Sequence, residues 1–155
     1  MDLKKTFDII RASRKYLMGM VNDFSLDQLN AIPEGYNNNL IWHMGHVVAT
    51  QQLLTYRNAD LDVLVDEDFI SRYRTGTKPQ GSVLQSEREQ VLGFLNEHID
   101  KLEHDYYAGA FKIYNSFASR TYQGLTISSI EEAIEFVLFH EGLHMGYVMS
   151  MRHSL

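Results

Sequence analysis

Apolar residues recur at helical spacing over four long stretches of this 155-residue chain, and no stretch of comparable strength alternates with the period of two that a strand needs. Leu3, Phe7, Ile10, Leu17 and Val21 mark the first, residues 2–22, with Arg14 inside the stripe. The second runs from about Leu40 to Arg57, behind three asparagines, Asn37 to Asn39, that offer capping oxygens. Leu84, Val91, Leu95 and Leu102 mark the third, residues 83–104, with Ser82 as its expected cap. The fourth, residues 129–152, opens on a capping box formed by Ser128 with Glu131 or Ser129 with Glu132. An all-α four-helix bundle is predicted, with long connections after the second and third helices that leave room for a crossover. Ser25 to Gly35 reads as a turn or helical fragment, Asp60 to Phe69 as an acidic segment with one or two helical turns, and Thr75 to Ser82 as the clearest loop. Residues 105–126 resist assignment and are expected to be ordered with little regular structure.

One core is expected, because residues 1–155 fall within the size of a single domain and carry no repeat or linker. Fourteen basic against 20 acidic side chains give a formal charge of -6, which repels a phosphate backbone and argues against a nucleic-acid partner. Cysteine is absent, so disulfides, thiolate metal sites and a cysteine nucleophile are excluded. A transition-metal site must then use His, Asp or Glu. Neither a signal-peptide core nor a stretch of ~20 apolar residues is visible, so the expectation is a cytoplasmic protein with no membrane partner.

The segment that carries chemistry is His140-Glu141-Gly142-Leu143-His144. Residues four apart share one side of a helix, so two imidazoles there can face one ion. The face between them also carries Ala133, Phe136, Val137, Tyr147 and Met151, which points both rings at the core. Two buried polar rings need partners, and a metal ion supplies them. In the second helix, Trp42-His43-Met44-Gly45-His46 places His46 on the face of Trp42, Ala49 and Leu53, again the core side. A histidine bonded to a core carbonyl is the plainer alternative for His46.

Asn39, Trp42 and His46 in an N-x-x-W-x-x-x-H start to the second helix, followed by H-E-x-x-H in the last, resemble the DinB-like metal-binding superfamily, whose damage-inducible and thiol S-transferase members are four-helix proteins. The resemblance spans essentially the whole chain in order and spacing. It implies one divalent ion, zinc or nickel first and manganese or iron next, held by His46, His140 and His144. The family's Trp-to-His spacing selects His46 over His43, which lies about 60° round the helix and becomes a pocket or proton-carrying histidine, or else a surface one. Trp42, Tyr147 and Arg14 are the expected lining of a substrate pocket. The implied activity is thiol transfer to an electrophile, or metal-assisted hydrolysis, on a small molecule.

H-E-x-x-H is also the zinc-protease signature, with the glutamate as general base. That class takes a third ligand downstream, yet only 11 residues follow His144, with Ser150 at the position the extended motif gives to histidine. Glu141 stays a weak catalytic candidate beside a surface or interface role. Arg14 and His98 both interrupt apolar stripes, where a cation near the metal would hold a substrate carboxylate and a buried salt bridge is the alternative. A different class of function is a non-catalytic, metal-stabilised module acting as a homodimer. It rests on Leu138, Gly142, Met145, Gly146 and Met149, an apolar far side of the last helix that a second copy or residues 105–126 would cover.

Overall fold

Where the helices of this chain begin is decided largely by side chains that take over amides the first turn leaves unbonded. The computed structural model describes residues 2–119 and 122–155. Its helices are α1 (Lys4–Asn22), α2 (Leu26–Asn30), α3 (Leu40–Leu54), α4 (Glu67–Tyr73), α5 (Gln85–Tyr107) and α6 (Ile130–Met151). Asn39 Oδ1 accepts from the Trp42 amide at 2.9 Å and starts α3. Ser129 Oγ accepts from the Glu132 amide at 3.2 Å, and Glu132 reaches back to the Ser128 amide at 2.6 Å, which starts α6. Ser25 with Gln28 forms a capping box on α2, and Asp66 accepts from the Phe69 amide on α4.

Ser82 does not cap the third long helix. The Val83 amide is taken by Asn30 Oδ1 at 2.8 Å, which ties that strand of chain to α2, and α5 starts only after Leu84 with no side-chain cap. At its other end α5 runs past 104 to Tyr107, whereas α3 stops at Leu54 and a 3₁₀ turn, Arg57–Ala59, follows. The acidic segment after it yields α4. Among the described residues of 105–126 the regular structure beyond α5 is strand β1 (Phe117–Ala118) and the start of β2 (Thr126–Ile127), paired antiparallel with Phe117 opposite Ile127.

The four long helices close a ring in the order α1, α6, α3, α5. Pairs such as Arg14 with Glu141, and Gln51 with the His98 carbonyl, set α1 parallel to α6 and α3 parallel to α5. His43 meets His144 while His46 meets His140, so α3 and α6 run antiparallel. The chain therefore crosses the bundle twice, between α1 and α3 and between α5 and α6. The connection after α3 is long but joins neighbours, and it spends its length on α4, which packs on α3.

Two apolar clusters fill the ring. One gathers Leu17, Val21, Val48, Leu95 and Val148, the other Phe7, Ile10, Ile99, Leu102 and Val137. Between them lies a polar hub around Arg14, fully buried and bonded to residues of all three other long helices. Its guanidinium donates to Glu141 Oε1 at 2.6 Å, to Gln51 Oε1 at 2.7 Å and to the Leu95 carbonyl at 2.9 Å. Lying among four backbones, α3 is buried on every side from Leu40 to Gln52. No helix among the described residues is long and apolar enough to cross a membrane.

Candidate metal centre

Three imidazoles converge on the seam between α3 and α6, which puts the site on one side of the bundle while the Arg14 hub holds its axis. His46 Nε2 lies 3.2 Å from His140 Nε2, and His144 Nε2 lies 3.2 Å from the same atom. Donors 2.0–2.1 Å from one ion at tetrahedral angles stand about 3.3 Å apart, so these separations match the edges of a coordination shell. One ligand atom from each of His46, His140 and His144 lies within 4.8 Å of the others.

The tautomers agree with that use. His46 Nδ1 lies 2.6 Å from the Tyr73 carbonyl oxygen, which can only accept, so the ring proton sits on Nδ1 and Nε2 presents a lone pair to the centre. His144 turns its other nitrogen to His43, Nδ1 to Nδ1 at 2.8 Å. With His144 Nε2 directed inward, His144 Nδ1–H donates and His43 accepts. Burial, reinforced by the neighbouring imidazoles, pushes His140 down to about 3 and His144 to about 2. His46 is lowered as well, chiefly by burial, against the opposing pull of the Tyr73 carbonyl. All three are thus neutral at pH 7, and three neutral nitrogens pointing lone pairs at a shared space fit a cation.

Each position follows from local structure. Trp42, one turn before His46, stacks its indole on that imidazole, with ring centroids 4.6 Å apart and planes 10° from parallel. Trp42 Nε1–H donates to Thr77 Oγ1 at 3.2 Å, which fastens the loop after α4. Gly45 makes the Tyr73 contact possible: a Cβ there would fall well inside contact distance of the Tyr73 ring. Tyr73 OH in turn donates to Glu87 Oε1 at 2.6 Å, linking α4 to α5. Thr50, one turn after His46, brings its hydroxyl within 3.3 Å of His46 Nε2. Nothing in the sequence marks Tyr73 or Thr50 as part of the site. A glycine inside an apolar helix, between two histidines, was the one visible sign of a close approach.

The remaining sequence candidates divide. His43 is buried, stacks on Tyr147 at 5.6 Å and touches the site through His144, so it is not a surface histidine. Tyr147 is half-exposed at 53%, not in the core, because the buried side of α6 is centred on Val137, Glu141 and Val148, with the histidines on its border. That same rotation corrects Glu141, expected at a surface or an interface and found fully buried in the Arg14 pair. Burial raises the Glu141 carboxyl, and the Arg14 charge opposes it. Arg14, with its guanidinium spent on Glu141, Gln51 and Leu95, does not line a pocket at the imidazoles. His98 stacks on Phe94 and meets Gln52, away from the metal ligands. Trp42 lines a cavity of about 180 Å3 with Asn39, Arg72, Tyr73, Lys78 and Glu87, and none of the three ligand histidines borders it.

On the outer side of α6, Gly142 and Gly146 have no atom of the described residues within 4 Å of an added Cβ, and Met149 is exposed. Tyr122 packs edge-on against Phe136 and Phe139, so among the described residues of 105–126 it covers the turn before the glycines and none reaches the glycines themselves. Residues 9–148 match the family model described as DinB superfamily. No curated protein matches the chain.

Proposed function

The chain belongs to the DinB superfamily, and on that premise we propose that it is a metal-dependent enzyme acting on a small molecule, as a thiol S-transferase or a hydrolase. The observation that carries this is the 3.2 Å spacing of the Nε2 atoms, with the second nitrogens of His46 and His144 already engaged by Tyr73 and His43. A divalent ion held by three neutral imidazoles, zinc or nickel by preference, keeps one position open for a water or a substrate thiol, whose proton it makes easier to lose. The chain's own residues hold and shield that position. Tyr73 and His43 fix two ligand rings, Trp42 covers one face of His46, and the half-exposed Tyr147 stacks on His43. Glu141 is no general base in this arrangement, since its carboxylate is committed to Arg14.

The test is metal loading of the purified protein and of His46→Ala, His140→Ala and His144→Ala. One ion per chain in the wild type, lost in each variant while helical circular dichroism persists, supports the reading. Wild-type protein that takes up no zinc, nickel, manganese or iron rejects it. Activity toward thiol acceptors or esters that vanishes on chelation and returns with metal then separates catalysis from support.

A non-catalytic reading draws on the open α6 face. Gly142, Gly146 and Met149 there, with Met145 beside Ile9 and Tyr16 of α1, offer an apolar surface suited to a second copy of the chain. In that reading the ion braces α3 against α6 and the homodimer is the working form. Chelation would then unfold or dissociate the protein without any activity being lost.

A further inference from the structure

Two threonines sit on the inner side of the second long helix and its end, and they use their hydroxyls differently. Thr55 Oγ1 donates to the Gln51 carbonyl at 2.7 Å, the ordinary back-bond of a helical threonine. Thr50 does not. Its only side-chain hydrogen bond among the described residues is to His46 Nε2, at 3.3 Å, and the residue is 9% exposed. His46 Nδ1 carries the ring proton because it faces the Tyr73 carbonyl, so the Thr50 hydroxyl must be the donor and the Nε2 lone pair its acceptor.

That lone pair is the one the metal takes. With an ion in the centre His46 Nε2 could no longer accept, and the buried Thr50 hydroxyl would need a new acceptor beside the coordination shell. Leaving it unpaired would cost free energy, and a donor atom at the open position would offer that acceptor in competition with the His46 carbonyl one turn back. We infer that the Thr50 hydroxyl hydrogen-bonds the fourth donor atom, water or substrate, and so orients what binds opposite the three histidines. Thr50 is then a positioning residue for an anionic or easily deprotonated donor, such as a thiol. The inference rests on the three-histidine reading and adds to it a specificity role for a residue that ligates nothing.

Cobalt(II)-loaded protein titrated with azide tests this, read by the visible d–d spectrum rather than by turnover. Wild type, Thr50→Val and Thr50→Ser are compared, with cobalt affinity measured in parallel. The expected result is unchanged cobalt binding in all three, azide binding weakened about tenfold or more in Thr50→Val, and recovery in Thr50→Ser, as for loss of a hydrogen bond to a charged group. Equal azide affinity in Thr50→Val and wild type overturns the inference, and means that the hydroxyl has turned back to the His46 carbonyl. Loss of cobalt itself in Thr50→Val also overturns it, by making the residue a support for His46. Wild-type protein that binds no cobalt, or whose spectrum ignores azide, defeats the three-histidine reading first and this inference with it.

Discussion

His46 Nδ1 donates to the Tyr73 carbonyl at 2.6 Å, so the orientation of a candidate metal ligand on α3 is set by the backbone of the last residue of α4. The contact exists because Gly45 presents no side chain to the Tyr73 ring.

Gly45→Ala is expected to displace α4, destabilise the protein by about 1–3 kcal/mol as an overpacked core does, and weaken metal binding. Urea denaturation and competition with a chromophoric chelator read the two effects. Gly142→Ala and Gly146→Ala serve as controls. With open space at both, each gains up to about 1 kcal/mol from the better helix former and leaves metal binding alone. Tyr73 retaining its place in Gly45→Ala, with unchanged affinity, would refute the positioning role of α4.

Glu141→Ala is expected to cost about 3–5 kcal/mol, because it strands the Arg14 guanidinium in the core. The double variant Arg14→Met with Glu141→Leu should recover most of that loss, a non-additivity that a cycle of chemical denaturation curves measures. If Glu141→Ala folds as well as wild type, the hub is not what holds the bundle together.

Low pH should unfold the metal-free protein. Burial, with the nearby imidazoles, holds His43 at about 4, His140 at about 3 and His144 at about 2, all below the ordinary 6.5 of a free histidine. Above 6.5 both folded and unfolded chains carry these rings neutral, and the folded state loses nothing. As pH falls below 6.5 the unfolded chain takes up protons that the folded one refuses, so stability declines toward pH 4. Metal binding falls over the same range, since protons compete for the nitrogens. Denaturation midpoints that stay flat from pH 7 to 4.5 in chelated protein would contradict this.

Much of this architecture was legible because helix periodicity and caps are local signals. Asn39 and Ser129 announced two helix starts, and the four long helices fell within a few residues of expectation. The pairing of His140 with His144 was legible for a related reason, since i, i+4 spacing puts both on one side of α6 without knowledge of its neighbours. What stayed hidden depends on contacts between distant stretches. Glu141 could not be told from a surface carboxylate, because its partner stands 127 positions earlier in the chain. Neither could Tyr73 be found, because it serves through its carbonyl, an atom every residue has. The core face of α3 was uninformative for another reason. A central helix covered on all sides has no polar side to mark its rotation, so sharing a face with Trp42, Ala49 and Leu53 does not distinguish His46 from most of its neighbours.

The polar hub also fixes an order of events as the chain emerges and collapses. Arg14 comes first of these residues in the sequence, yet its hydrogen bonds wait for residues 51, 95 and 141, the last of them 127 positions further on. Until α6 docks, the guanidinium is better off in water than between two hydrocarbon layers, so the first three long helices gain little from closing around it. Commitment to the native bundle therefore falls to α6, and the histidines on either side of Glu141 arrive with it in a single step.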